Sequence, residues 1–345
     1  MANPTPTHSI VPANESSTSQ DECTHILLHV PLAVVYSVIC TLGFPGNMVA
    51  LWVFFSVKKK KNSIHVFLIN LVFADLLLVI CLPFRIFYHT HNGTWDMNPT
   101  LCTIVSFLFY TNMYISIILL GLISVNRYLK INCSVGMQRW LFSLNSARIV
   151  CAVVWFGVSA LTFSTYMWKP SDPDNRCFHY KKLLDAKWRA YINMLGLVIF
   201  WIVFIALMVS YGKIALKLLR KSKERPEMPN APRYARSAKK SFFILFVFTF
   251  CFVPFHMFRI VYIVTQITES SCFLINLADI TNNVALLFTA SNSCLDPILY
   301  FLLSSSVRKE MLHIVKRVFC VHDVAISEST TSYENHSKIR LEEYR

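Results

Sequence analysis

The chain has 345 residues, 54% apolar and only 15% charged, with a mean hydropathy of +0.47 and a formal net charge of +14. A soluble helical protein with that apolar content would show an amphipathic period, and such a period is largely absent. A basic excess can serve nucleic acid, but here Lys and Arg gather at the ends of apolar stretches, where membrane lipids and cytoplasmic partners account for them, so no nucleic-acid partner is expected.

Seven apolar stretches follow in order at 29–57, 64–88, 102–131, 147–167, 189–219, 236–266 and 274–303. Each exceeds the roughly 20 residues that a helix needs to cross the hydrocarbon core. Lipid gives backbone polar groups no partner, so spans of this length are helices. The expected fold is an all-α membrane protein, a seven-transmembrane helix bundle over residues 29–303. Residues 1–28 are polar, rich in Ser, Thr and Pro, and show no apolar signal-peptide core, so the first span is expected to direct its own insertion.

Charge orients the bundle. Of 33 Lys and Arg residues, 25 fall in Lys58–Lys61, Arg127–Arg148, Lys213–Lys240 and the tail after Leu303, whereas the first 28 residues, 87–101 and 266–273 have none. By the positive-inside rule the N-terminus is extracellular and the chain a multi-pass protein of the plasma membrane. The sequons at Asn14 and Asn92 then face outside and are candidates for glycosylation. The remaining eight basic residues, Arg85 and Arg259 among them, lie in the outer thirds of spans or in the loop between spans four and five, a basic vestibule that would attract an anion. Four cysteines also lie outside, Cys23, Cys102, Cys177 and Cys272. Two disulfides are available there, Cys102–Cys177 over the bundle and Cys23–Cys272, although sequence alone allows three pairings.

Polar residues inside spans are expensive, and each is a functional candidate. Asp75 in span two and Asp296 in span seven lie at similar depth, with Asn47, Asn112, Ser116 and Asn292 supplying further polar side chains. Two such carboxylates either share a proton or hold a cation. An intramembrane aspartic protease also needs two aspartates, but its Gly-x-Gly-Asp context is absent, and no enzyme activity is expected. Neither the internal repeats of a transporter nor a pore-lining pattern is evident.

Gly46-Asn47, Leu71 to Asp75, Asn126-Arg127-Tyr128, Trp155, Tyr211, Cys251 to His256 and Asp296-Pro297 to Tyr300 occur in that order, one set per span. Together they resemble the class A, rhodopsin-like G-protein-coupled receptors. The Phe252 form of span six, with His256 and Arg259 nearby, is similar to the branch for ADP-like nucleotides and lysophospholipids. Leu82 to Ile86, Asn112 to Gly121, Cys177 to Tyr180 and Asn292 to Pro297 look like the lysophosphatidylserine receptors of that branch. The resemblance implies an anionic lysophospholipid ligand, a heterotrimeric G protein of the Gi type and arrestin as partners, with a nucleotide as the alternative ligand and a transporter as a distant alternative. It implies an activation switch built from Asn126, Arg127, Tyr128, Tyr211, Phe248, Phe252, Pro254, Pro297 and Tyr300. The pattern departs from the family where Asn126 replaces an acid, Phe252 replaces a tryptophan and span five lacks a proline.

Arg85 and Arg259 are expected to grip the ligand's anion, with Tyr110, His256 and Asn282 completing the polar end of the pocket and the acyl chain among spans three to five. Asp75, Asn112, Ser116, Asn292 and Asp296 are expected to line one cavity for water or an allosteric sodium ion; no other cofactor is expected. Residues 304–320 read as a short amphipathic eighth helix ending at Cys320, a palmitoylation candidate, and 321–345 as a disordered, phosphorylatable cytoplasmic tail.

Overall fold

A computed structural model describes residues 28–56, 62–132, 143–166, 177–224, 231–303 and 307–310. Seven helices are long and apolar enough to cross a membrane. They are α1 (His29–Ser56), α2 (Ser63–Thr90), α3 (Pro99–Asn132), α4 (Leu144–Tyr166), α5 (Lys187–Glu224), α6 (Ala231–Ile267) and α7 (Cys272–Leu303), with a 3-10 turn at Leu184–Ala186 before α5. Residues 307–310 begin a short eighth helix, and no described residue forms a strand. The expected sites at Asn14, Cys23 and Cys320 lie outside the described residues, as does most of the expected eighth helix.

Several helices outrun their apolar stretches, because the backbone ladder stops at caps and not where hydropathy changes. α3 starts at Pro99, three residues before the apolar run. Proline suits a first helical turn, and Asn98 Oδ1 accepts from the Thr100 N–H at 2.8 Å. Asn62 caps α2 by accepting from the His65 N–H at 2.9 Å. α5 continues through Lys213 and Lys217 to Glu224, beyond the bilayer length its apolar core requires.

α3 is the most buried span, and α4 and α5 are the least. α1 packs on α2 and α7, α5 on α6, and α6 on α7, whereas α4 touches α5 only slightly. Polar staples fix these contacts at depth. Asn47 Nδ2 donates to the Gly43 carbonyl at 3.0 Å and to the Ser293 carbonyl at 2.8 Å, tying α1 to α7. Trp155 Nε1 donates to Asn70 Oδ1 at 3.0 Å, tying α4 to α2. Gly46 lets α1 close on α7, since a Cβ there would come within 3.1 Å of the Pro297 ring.

Candidate ligand site and switch residues

One end of the bundle is closed by the disulfide Cys102–Cys177, which ties the α4–α5 segment to the first turn of α3. Cys272 at the start of α7 is disulfide-bonded as well. Gln266 adds a second tether to that segment, its Nε2 donating to the Lys181 carbonyl at 2.9 Å while its backbone carbonyl accepts from the Leu183 N–H at 2.8 Å. Burial raises the pKa of the Tyr180 phenol in the same segment, and the nearby Asp279 carboxylate adds to the shift.

Beneath this cover lies a cavity of about 120 Å³ whose walls include Arg85, Tyr110, Phe178, Lys181, Arg259 and Asn282. Arg85 reaches it from α2 and Arg259 from α6, with 2% and 7% of their surfaces exposed, so both are desolvated cations. Rings line both, and the buried Asp279 carboxylate on α7 lies within electrostatic reach of Arg259. The Arg85 guanidinium carbon is 4.1 Å from the Phe109 ring centroid and 4.5 Å from that of Phe178. That of Arg259 is 4.5 Å from the Tyr262 centroid and 5.6 Å from that of Tyr110. Arg259 Nη1 also donates to Asn282 Oδ1 at 2.9 Å. Arg85 Nε is buried without a hydrogen-bond partner. Cation–π contacts and the one nearby carboxylate, Asp279, offset only part of the hydration lost by two guanidinium groups, so the pair retains capacity for an anion.

His256 departs from its expected place at the polar end of the pocket. It lines neither this cavity nor the apolar one beside it. Its ring stacks on Phe200 with centroids 3.6 Å apart, and Nδ1 lies 2.7 Å from the Phe252 carbonyl. The i−4 carbonyl and the flat aromatic face hold the imidazole about one turn below Arg259, with Nε2 buried and without a hydrogen-bond partner. Phe109, Phe178 and Gln266 are site residues that the sequence reading does not single out. A signal for Phe178 exists: it follows Cys177 directly, so the disulfide that covers the bundle also fixes this ring.

A second cavity, about 210 Å³, runs between α3, α4 and α5. Ile118, Val153, Val154, Gly157, Val158 and Ile199 make it predominantly apolar. It shares Tyr110, Thr165, Asn193 and Arg259 with the first. Glycines on both flanks keep it open. A Cβ on Gly157 would meet nothing within 4 Å, and Gly196 admits the Tyr114 hydroxyl, which a Cβ would approach to 2.6 Å.

At mid-membrane, Asp75 and Asp296 are fully buried and close enough to hydrogen-bond to each other. Tyr300 donates its hydroxyl to Asp75 Oδ2 at 2.6 Å, and Asn292 Nδ2 donates to Asp296 Oδ2 at 2.7 Å. Four acceptors, Asn47 Oδ1, Asp75 Oδ1, Asn292 Oδ1 and Asp296 Oδ1, are buried without hydrogen-bond partners. An all-oxygen set of this kind suits water or a hard cation such as sodium. Ser116 donates to Asn112 Oδ1 at 3.3 Å within α3.

Toward the other end, a column of rings leads inward from His256 through Phe200, Phe248 and Phe252. Phe200 and Phe248 are parallel within 1°, and Phe248 lies 5.1 Å from Phe252. Pro254 sits inside α6 and Pro297 inside α7. Arg127 Nη2 donates to the Leu303 carbonyl at 3.0 Å, while Tyr211 lies within electrostatic reach of Arg127. Lys213 approaches the Tyr128 ring at 5.8 Å. Asn126 donates to Ser63 Oγ on α2 at 3.3 Å. The amide at this position therefore joins α3 to α2. The sequon residues Asn92 and Thr94 are both exposed at the disulfide end.

The profile of the family described as "7 transmembrane receptor (rhodopsin family)" matches residues 46–300. The mouse protein "Probable G-protein coupled receptor 34" is 44% identical over 312 residues, covering 89% of this chain and 82% of that protein. The human purinoceptor 13 is 30% identical over 322 residues, covering 90% of this chain and 86% of that protein. The bovine purinoceptor 14 is 32% identical over 292 residues, covering 82% and 86%. The chain is thus a multi-pass membrane receptor and not an enzyme, and it belongs to the rhodopsin family of G-protein-coupled receptors, in the purinoceptor-like branch.

Proposed function

We propose that this receptor is switched by an anionic lysophospholipid of the lysophosphatidylserine type, bound from the extracellular side, and acts through a heterotrimeric G protein of the Gi type. One observation carries the reading: two cavities meet at Tyr110, Thr165, Asn193 and Arg259, one walled by basic residues and the other apolar. A lysophospholipid divides the same way, into an anionic head and one acyl chain. The head bridges Arg85 and Arg259 with Tyr110 and Asn282 beside it; a guanidinium holds phosphate or carboxylate in two parallel bonds. The chain lies between α3, α4 and α5.

An anion shared by α2 and α6 draws their outer ends together. Pro254, five residues inward of Arg259, removes one backbone hydrogen bond and serves as the pivot. The inner end of α6 then swings out, Arg127 leaves the Leu303 carbonyl, and a G-protein helix enters the opened groove. The ligand acts because it binds this arrangement better than the resting one. Sodium among Asp75, Asn112, Ser116, Asn292 and Asp296 would favour the resting arrangement. The tail would recruit arrestin once phosphorylated. The disulfides and the exposed sequon at Asn92 suit an outer face.

A nucleotide is the second reading, favoured by the purinoceptor relatives and by the rings around both arginines. It would leave the apolar cavity without a role. Guanine-nucleotide exchange in receptor membranes, with lysophosphatidylserine and ADP as agonists and Gi or Gs as the partner, tests the proposal. Exchange on Gi with the lipid alone supports it, and a response to ADP alone rejects it.

A further inference from the structure

Among the described residues, Asn92 and Phe178 are the non-glycine positions with a positive φ. Asn92 is exposed in a turn before Gly93, where a short polar residue tolerates the left-handed region. Phe178, at φ +55°, is a bulky residue in that region, a conformation that persists only where the surroundings enforce it. Its ring is one of two that lie over the Arg85 guanidinium. We propose that Phe178 is a positioning residue: with Phe109 it clamps the Arg85 guanidinium between two rings and leaves the N–H edge of that group turned to the ligand. The inference rests on the reading that Arg85 holds the ligand's anion.

Three contacts enforce the conformation. Cys177, the preceding residue, is fully buried and bonded to Cys102 on α3. The Phe178 ring lies edge-on to Tyr88, with centroids 5.3 Å apart, and edge-on to Trp95, with centroids 5.7 Å apart. Trp95 is itself fixed, its Nε1 donating to the Asn98 carbonyl at 3.2 Å. The left-handed backbone sets the direction in which the ring leaves the chain, and the disulfide and the two edge contacts keep it there.

The geometry of the guanidinium explains what the clamp does. Its five N–H donors lie in its own plane, so rings over the group at 4.1 and 4.5 Å cover faces and leave the donors to other partners. Nε is buried without a hydrogen-bond partner, and Arg85 and Phe178 both line the basic cavity. Arg259 is oriented differently, by a hydrogen bond to Asn282. An arginine has many rotamers, and fixing one before the ligand arrives removes the ordering cost from binding. The plane matters because paired bonds to a phosphate or carboxylate need it edge-on to the anion. Phe109 comes from α3, whereas Phe178 comes from the segment that covers the bundle, so this cover helps to shape the seat beneath it.

The test is the potency of lysophosphatidylserine in guanine-nucleotide exchange on Gi, at matched surface amounts of receptor. Phe178→Leu keeps an apolar side chain and loses the flat ring face, and potency should fall by about tenfold. Phe178→Tyr keeps the ring and should stay within about threefold of the unaltered receptor. In an Arg85→Ala background, Phe178→Leu should cost no more than about twofold further, because the group it orients is gone. A ring that serves packing alone would be missed equally with Arg85 present or absent, and that result overturns the clamp, as does unchanged potency in Phe178→Leu. If Arg85→Ala is silent, the contrast between leucine and tyrosine decides, and equal losses in the two overturn the clamp. An unaltered receptor that ignores the lipid overturns the ligand reading, and the clamp with it.

Discussion

The mid-membrane cluster and the disulfide-end cluster bury charge in opposite ways. Asp75 and Asp296 are held by hydrogen bonds from Tyr300 and Asn292 and by each other, within helices that pack closely. Arg85 is held mostly by rings, while Arg259 has rings, Asn282 as an acceptor and the Asp279 carboxylate within electrostatic reach, and both line the basic cavity. The first arrangement bonds one oxygen of each carboxylate and leaves the other without a hydrogen-bond partner, which suits water or a cation inside the bundle. The second sets two guanidinium groups against one carboxylate, Asp279, an excess of positive charge that suits capture of an anion from outside.

The largest effect that would break this contrast is expected at Arg259. Arg259→Ala removes one side of the anion seat, and the loss of a buried charged contact costs roughly 2–5 kcal/mol, about 30-fold or more in agonist potency. Surface expression should persist, and Arg259→Lys should also lose potency, because a lysine cannot reproduce the paired bonds. Unchanged potency with either variant would remove Arg259 from the seat. Next comes the apolar cavity. Gly157→Phe places a ring where a Cβ meets open space and should weaken the response to long-chain lysolipid by roughly tenfold or more. The response to a short-chain analogue should change far less, and an equal loss for both chain lengths would mean that the chain lies elsewhere.

Smaller effects probe the mid-membrane cluster and the inner end of α3. Agonist affinity should fall a few-fold as sodium rises, by preferential binding of the ion to the resting state. Asp75→Asn should flatten that dependence; if affinity in the unaltered receptor ignores sodium, the orphaned oxygens serve water alone. Asn126→Asp sets an acid beside Arg127 in place of an amide that bonds to Ser63. The charge-assisted pair should lower ligand-free nucleotide exchange by about fivefold, roughly 1 kcal/mol in the resting equilibrium. Basal exchange that is equal or higher at matched receptor amounts would show that Arg127 is restrained by other contacts.

The bundle was legible because hydropathy is a long-range, averaged signal: seven spans at 29–303 can be read from apolar runs alone. Their ends were not, because caps such as Asn62 and Asn98 act through single hydrogen bonds. Arg85 and Arg259 stood out as cations in apolar helices. The direction of a ring did not, and so His256, three residues before Arg259, was expected in the pocket although it stacks on Phe200 below it. The aromatic cage around Arg85 draws on α1, α3 and the segment after Cys177, a convergence that no local pattern encodes. The same holds for Asn126, whose partner Ser63 lies on another helix.

The central claim is that Arg85 and Arg259, on different helices, hold one ligand group. A double-mutant cycle measures this directly, from the potency of lysophosphatidylserine in nucleotide exchange for the unaltered receptor, Arg85→Ala, Arg259→Ala and the double variant. A shared anion predicts strong coupling, with the double variant little worse than either single one and an interaction energy of about 1–3 kcal/mol. Losses that add within roughly 0.5 kcal/mol would show that the two arginines serve separate ends, and would contradict the bridged seat.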